Sequence, residues 1–194
     1  GRGWGQGPTH SQNLQAWFAH IPGLKVVMPS NAYDAKGLLL SSIFDPDPVI
    51  FLEHRWLHNS LGEVPLHDYR INLGKANKIT KGKDITLVSM SYMTVEALMA
   101  QKYLEKYDIS IDLIDLRTVK PIDFEAIVES LKVTRKILIL DTGVSTCSIA
   151  SEIISYIAIN HSSLLEKNPE KITMPDVPEP TSYGLTKNFY PRAA

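Results

Sequence analysis

Cysteine is nearly absent: Cys147 is the only one in 194 residues, so the chain forms no internal disulfide and builds no Cys-type zinc site. A reducing intracellular compartment is the default for such a chain. Charge of one sign is also missing. Twenty Lys and Arg against 21 Asp and Glu leave a net charge of -1, with a pI near 6.7. That balance gives no basic footprint for nucleic acid or for an acidic membrane surface. No apolar run approaches the ~20 residues of a membrane span. There is no Walker-type Gly-Lys-Ser/Thr for a nucleotide phosphate, no repeat of ~20–50 residues and no low-complexity stretch. What is left is an ordinary globular composition, 44% hydrophobic, long enough to bury one sizeable core.

Glycine, by contrast, is crowded at one end. Four of the 11 glycines fall within Gly1 to Gly7. A glycine loop takes a shape only when both ends are held, so the chain reads as the C-terminal piece of something longer. The G-x-G-x-G-x-G spacing is a weak dinucleotide fingerprint, because no strand precedes it and no acidic residue follows at the required distance.

Apolar spacing then lays out the elements. Ser11 is the expected N-cap of a helix over 12–20, with Leu14, Trp17, Phe18 and Ile21 inward. Lys25 to Met28 reads as a buried strand. Ser30 or Asn31 caps a second helix, with Ala35, Leu38, Leu39 and Ile43 as its buried stripe. Asp34 suits its dipole, and Asp45-Pro46-Asp47-Pro48 stops it. Val49 to Glu53 completes a βαβ unit with parallel strands and a right-handed crossover. Residues 55–82 show no sustained period. They read as a linker with a short strand or two, and the domain boundary is placed near residue 66.

Beyond it come a strand at 85–90, a helix at 94–107 (Val95, Leu98, Met99 and Leu104 inward), and a strand at 109–116 decorated by Asp112 and Asp115. A helix capped by Asp123 runs to 131. A strand at 137–140, a helix at 146–160 and an edge strand at 172–174 follow. Three βα pairs in a row give an α/β, doubly wound, mainly parallel sheet. Cys147 is expected buried or half-buried, and Trp17 and Phe18 core.

His10 stands where the glycine loop meets the expected helix N-terminus, a field that lowers an imidazole's pKa. A neutral imidazole there donates to a developing oxyanion or moves a proton near pH 7. Alone, a loop histidine is more often structural than catalytic. His54 and His58 follow a strand, so helical metal-ligand spacing does not apply to them.

The blocks around His10 sharpen this. Gly-Pro-Thr-His-Ser-Gln (7–12), Ala-Trp-Phe-Ala-His-Ile-Pro-Gly-Leu-Lys-Val-Val-Met-Pro-Ser (16–30), Asp-Ala-Lys-Gly-Leu-Leu (34–39) and Pro-Val-Ile-Phe-Leu-Glu-His (48–54) stand in one order. They continue with Leu-Gly-Lys-Ala (73–76), Ile-Asp-Leu-Arg-Thr-Val-Lys-Pro (114–121) and Pro-Asp-Val-Pro-Glu-Pro (175–180). This series resembles the β subunit of thiamine-diphosphate-dependent 2-oxo acid dehydrogenases, the E1 components of the pyruvate and branched-chain complexes, in the transketolase superfamily. The resemblance implies the C-terminal half of a pyrimidine-binding domain (1–66), a linker (67–82) and a transketolase C-terminal-type domain (83–194).

It also implies thiamine diphosphate with Mg2+, bound by residues upstream of Gly1 and by a partner subunit, so the piece alone should not catalyse. Its implied partners are an E1 α subunit or an N-terminal half of the same chain, a second β copy, and the lipoyl-bearing E2 acyltransferase. The implied compartment is bacterial cytoplasm or mitochondrial matrix. His10 would face substrate and steady the 2-oxo acid carboxylate or the intermediate's oxygen, with Ser11 and Gln12 holding the loop.

The turn Ser42-Ile43-Phe44-Asp45-Pro46-Asp47 would hold a structural potassium ion in such a relative, mostly through backbone carbonyls at the helix end, with Ser42, Ile43, Asp45 and Asp47 as ligands; a solvated proline turn is the other reading. Asp141 to Ala150 departs from the family pattern and puts substrate identity in question. The Gly-Pro-Thr-His motif is shared with transketolase and 1-deoxyxylulose-5-phosphate synthase, so ketol transfer is the alternative chemistry. A non-catalytic module for dimerisation and E2 docking is the alternative class.

Overall fold

The computed structural model describes residues 6–193; the glycines at positions 1, 3 and 5 lie outside the described residues. Two sheets carry the fold. The first holds β1 (Lys25–Val27) and β2 (Val49–Phe51), paired in parallel and joined by helix α3 (Ala32–Ile43), so the βαβ reading stands. Its third member is β6 (Thr118–Lys120), antiparallel to β1. No apolar period announces β6, because its partner lies more than 90 residues earlier.

The second sheet has the order β3-β5-β4-β7-β8. Strands β4 (Ile85–Ser89), β5 (Ile111–Asp115), β7 (Ile137–Val144) and β8 (Glu170–Met174) run parallel, and β3 (Asn77–Lys78) closes one edge antiparallel. Side chains alternate along each strand, which splits the core in two. Val88, Ile114 and Ile139 face Ile127 and Leu131 of α5 (Phe124–Thr134) and Ile153 and Ile157 of α6 (Ile149–Asn160). Leu87, Leu113 and Leu140 face Met93 and Ala97 of α4 (Tyr92–Leu104) on the other side. Helices on both faces of a mainly parallel sheet are the doubly wound arrangement. Val26 and Met28 join the α5/α6 core, so the two sheets share one apolar interior.

Several expectations are corrected. Ser11 is not the cap of the helix after it: α2 (Gln15–His20) has Leu14 at its N-cap with no side-chain cap bond, and Ser11 is fully buried. Of the α3 stripe, Leu38 is buried, whereas Leu39 and Ile43 are exposed, as is Phe44 at the helix end. Asn31, not Ser30, caps α3 by accepting from the Asp34 N–H at 2.8 Å. Met99 and Trp17 are exposed, while Phe18 packs against the core. Cys147 is exposed, with a positive φ of 53°, because α6 starts only at Ile149, capped by Ser148.

Asp112 and Asp115 are not decoration. Both are buried. Asp112 is held by Lys78 Nζ and by the Ser130 hydroxyl, each at 2.7 Å. Asp115 accepts from the Ser30 hydroxyl at 2.5 Å and from the Arg117 N–H at 3.2 Å. Burial dominates these bonds and pushes the Asp115 carboxyl from 3.8 up to about 6.

The sign follows by linkage. Between pH 4 and 6 the folded chain keeps the Asp115 proton that the unfolded chain has released, so stability present below pH 4 is lost as pH rises through 6. A shift of that size corresponds to about 3 kcal/mol. Asp115→Asn is therefore expected to remove this loss. Urea midpoints of wild type and variant at pH 4.5 and 7.5 measure it, and parallel pH profiles for the two would refute it.

Candidate active site

The histidine picked out from sequence sits on a short built ledge. Helix α1 (Gly7–His10) is one turn, started by Pro8 and closed by the Ser11 N–H on the Gly7 carbonyl at 3.2 Å. A side chain at Gly7 would be strained for two reasons. Its φ is +71°, and an added Cβ would sit 2.6 Å from the Thr181 methyl in the C-terminal segment. His10 stands at the C-terminal end of this turn and is exposed. The next helix begins five residues later, so His10 does not stand at its N-terminus.

What fixes the ledge comes from far along the chain. Asn13 Nδ2 donates to the Thr142 carbonyl at 2.7 Å. Gln15 Nε2 donates to Asp141 Oδ1 at 2.9 Å and meets Thr142 Oγ1 at 3.2 Å. Asp141 in turn accepts from the Gly143 N–H at 2.7 Å and the Ala150 N–H at 3.0 Å, at the start of α6. Burial raises the Asp141 carboxyl above the ordinary carboxylate range, and these bonds pull the other way. The segment flagged as a family departure is thus the clamp behind His10. Its anchor, Asp141, was missed by the sequence reading.

The clamp also places the site. Asp141 to Gly143 lie at the C-terminal end of β7, a parallel strand, and open α/β sheets present functional groups at that edge.

Beside the ledge lies an aromatic cluster. Buried His54 stacks on Tyr92 (centroids 5.0 Å apart), and its Nδ1 accepts the Trp56 N–H at 3.3 Å. Arg192 lies 4.2 Å over the Trp56 ring and donates to Tyr92 OH at 2.8 Å and Glu96 Oε1 at 2.9 Å. His58 is apart, 3.6 Å from Glu53. Among the described residues no three His, Cys, Asp or Glu side chains group to hold a metal ion.

The turn after α3 meets a competing cation. Lys25 Nζ lies 2.7 and 2.9 Å from the two Asp45 oxygens and 3.0 Å from Asp47 Oδ2. Its bonds to Asp45 and Asp47 raise the Lys25 ammonium pKa, and the Lys25 bond lowers that of Asp45. The Ser42 hydroxyl bonds the Leu38 carbonyl at 2.7 Å, and the Ser42 carbonyl accepts the Asp45 N–H at 3.4 Å. Of the set Ser42, Ile43, Asp45 and Asp47, the two carboxylates are thus already paired with Lys25. Replacing potassium by tetramethylammonium is expected to leave the melting temperature of wild type within about 1 °C, as a surface effect of a few tenths of a kcal/mol would. A drop of several degrees would restore the ion.

Comparison with known proteins identifies the two domains. Residues 74–194 match the family model "Transketolase, C-terminal domain", and residues 3–59 match "Transketolase, pyrimidine binding domain". The β subunit of acetoin:2,6-dichlorophenolindophenol oxidoreductase from Cupriavidus necator is 40% identical over all of this chain and 57% of its own length. The pyruvate dehydrogenase E1 β subunit of Rhizobium meliloti is 41% identical over 95% of this chain and 40% of that protein. The 2-oxoisovalerate dehydrogenase β subunit of Bacillus subtilis is 42% identical over 87% and 52%. The chain thus spans about half the length of these relatives. A solved split-gene transketolase, described as an inactive β4 tetramer, superposes with a TM-score of 0.78 at 24% identity, covering 96% of this chain and 59% of that one, which speaks to the fold. Segment, sheet order and family models converge on one assignment: the chain belongs to the transketolase family, as part of a pyrimidine-binding domain followed by a transketolase C-terminal domain.

Proposed function

We propose that this chain works as part of a thiamine-diphosphate-dependent 2-oxo acid dehydrogenase β subunit, with His10 as its acid–base group. The observation that carries the reading is the exposed imidazole on a one-turn helix clamped through Asn13, Gln15 and Asp141. The bonds fix the backbone that follows His10, so the exposed ring turns on a held attachment point. The residues present fit the substrate-facing half of such a site. Thiamine diphosphate, when bound, supplies the electron sink that decarboxylation needs. In this reading its own ligands, and those of Mg2+, come mainly from the part of such a subunit upstream of Gly1 and from a partner subunit.

His10 then has a defined task. Neutral, it takes a proton from the substrate oxygen during acyl transfer to lipoamide; protonated, it pairs with the substrate carboxylate or returns that proton. Partners would be an α subunit or an N-terminal half of the same chain, a second β copy and an E2 acyltransferase with its lipoyl domain. In this scheme the domain boundary falls near residue 66, with 67–82 as linker, and the described piece by itself is inactive. Ketol transfer between sugar phosphates stays the alternative chemistry.

Dichlorophenolindophenol reduction by the full-length protein with its α partner decides among substrates. Pyruvate or a branched 2-oxo acid is expected to drive it. Acetoin belongs in the same assay, because relatives matching 98% or more of this chain carry acetoin in their names. Turnover of sugar phosphates alone would overturn the assignment.

A further inference from the structure

The turn that carries His10 is clamped from behind by Asn13 and Gln15, while its front end is held by residues outside the proposed mechanism. Two contacts reach that end. The Thr181 methyl fills the space that a Cβ on Gly7 would need. Arg55, first residue of the 3-10 turn Arg55–Leu57, donates from Nη1 to the Gln6 side-chain oxygen just before α1.

Both contacts lead back to the C-terminal segment, 179–193. Inside it the Tyr190 hydroxyl donates to the buried Glu179 carboxylate. The Trp56 ring, next to Arg55, is enclosed by Tyr190 at 5.0 Å, Tyr92 at 4.9 Å and the Arg192 guanidinium at 4.2 Å. Arg192 Nη1 also donates to Tyr92 OH and Glu96 Oε1 on α4, and the Ala193 N–H donates to Glu96 Oε2 at 3.0 Å. Glu96 is buried, so these donors make a fixed anchor rather than a surface ion pair.

We propose that Arg192 is a positioning residue for His10. It touches no reacting atom. It ties the C-terminal segment to α4 and lies flat on Trp56, and the Thr181–Gly7 and Arg55–Gln6 contacts carry that hold to the front of α1. A one-turn helix has too few internal bonds to keep its own orientation. Held only from behind, it pivots, and a displacement of about 1 Å costs an acid–base group about 100-fold in rate. This inference rests on the His10 reading and extends it to a residue at the far end of the chain.

The test is a double-mutant cycle in the dichlorophenolindophenol assay, on the full-length protein with its α partner. Arg192→Met is expected to lower kcat about 10-fold with His10 present and less than about 2-fold in His10→Ala, because nothing is then left to position. Removing Arg192 also takes a donor from buried Glu96, so Trp56→Leu, which keeps the Arg192–Glu96 pair, is the second variant and is expected to show the same dependence on His10. Without cofactor, amide hydrogen exchange over residues 6–12 is expected to quicken several-fold in both variants while β4 and β7 stay unchanged. Equal losses of kcat in the two backgrounds, or wild-type kcat or unchanged exchange over 6–12 in both variants, would overturn the positioning role and leave the His10 reading standing. Wild-type turnover in His10→Ala would overturn both.

Discussion

Replacing His10 by alanine in the full-length protein is expected to lower turnover by about 100-fold or more, with the melting temperature unchanged. The first half follows from the magnitude of general acid–base and oxyanion assistance. The second follows from the fold: His10 is exposed, and among the described residues its ring makes no hydrogen bond that unfolding would break. Exposed substitutions of that kind stay within about 0.5 kcal/mol. If His10 acts in the transition state alone, kcat falls while KM holds. If it also anchors the substrate carboxylate, KM rises too. His10→Gln, which donates a hydrogen bond but moves no proton, is expected to fall between. Gln15→Leu is the contrasting variant. It leaves the imidazole in place but takes one donor from buried Asp141, so it is expected to lower both stability and turnover. Wild-type turnover in His10→Ala would take the imidazole out of the mechanism.

Much of the fold was legible because its signals are local. Asp123 before an apolar helical stripe gives α5 and its cap, and the Asp123 carboxylate does accept the Ala126 N–H at 3.2 Å. The runs at β4 and β7 are apolar on both faces, as strands covered by helices on both sides must be. The failures share a cause as well: each depends on a contact far away in the chain. Three residues, Thr118 to Lys120, form a strand only because β1 offers an edge. Asp112 reads as solvent-facing until Lys78 and Ser130 are folded around it. Leu39 and Ile43 match a helical stripe by spacing, yet α3 turns only Leu38 to the described core. At the site, a local motif marks His10. Its clamp was invisible, because Gln15 and Asp141 are 126 residues apart.

The largest stability effect is expected at the joint between the two sheets. Arg117, in the turn between β5 and β6, donates from Nε and Nη2 to the two oxygens of Asp34 on α3 at 2.9 and 2.6 Å. Asp34 is 1% exposed, and its other side-chain partner is Asn31 at 2.8 Å. Removing the guanidinium therefore strands a carboxylate in the interior, a change that costs about 3–5 kcal/mol. Arg117→Met is expected to lose that much in urea unfolding. Asp34→Asn combined with Arg117→Met should recover part of it, since a neutral amide is cheaper to bury than an unpaired charge. The same substitution reaches Asp115, whose carboxyl Arg117 helps keep ionised. Without the cation the Asp115 proton is held to higher pH, so the loss of stability on raising pH moves upward in Arg117→Met. A single variant thus tests both the ion pair and the buried acid. An Arg117→Met protein as stable as wild type, with an unmoved pH profile, would mean that neither couples the α3 segment to the second sheet.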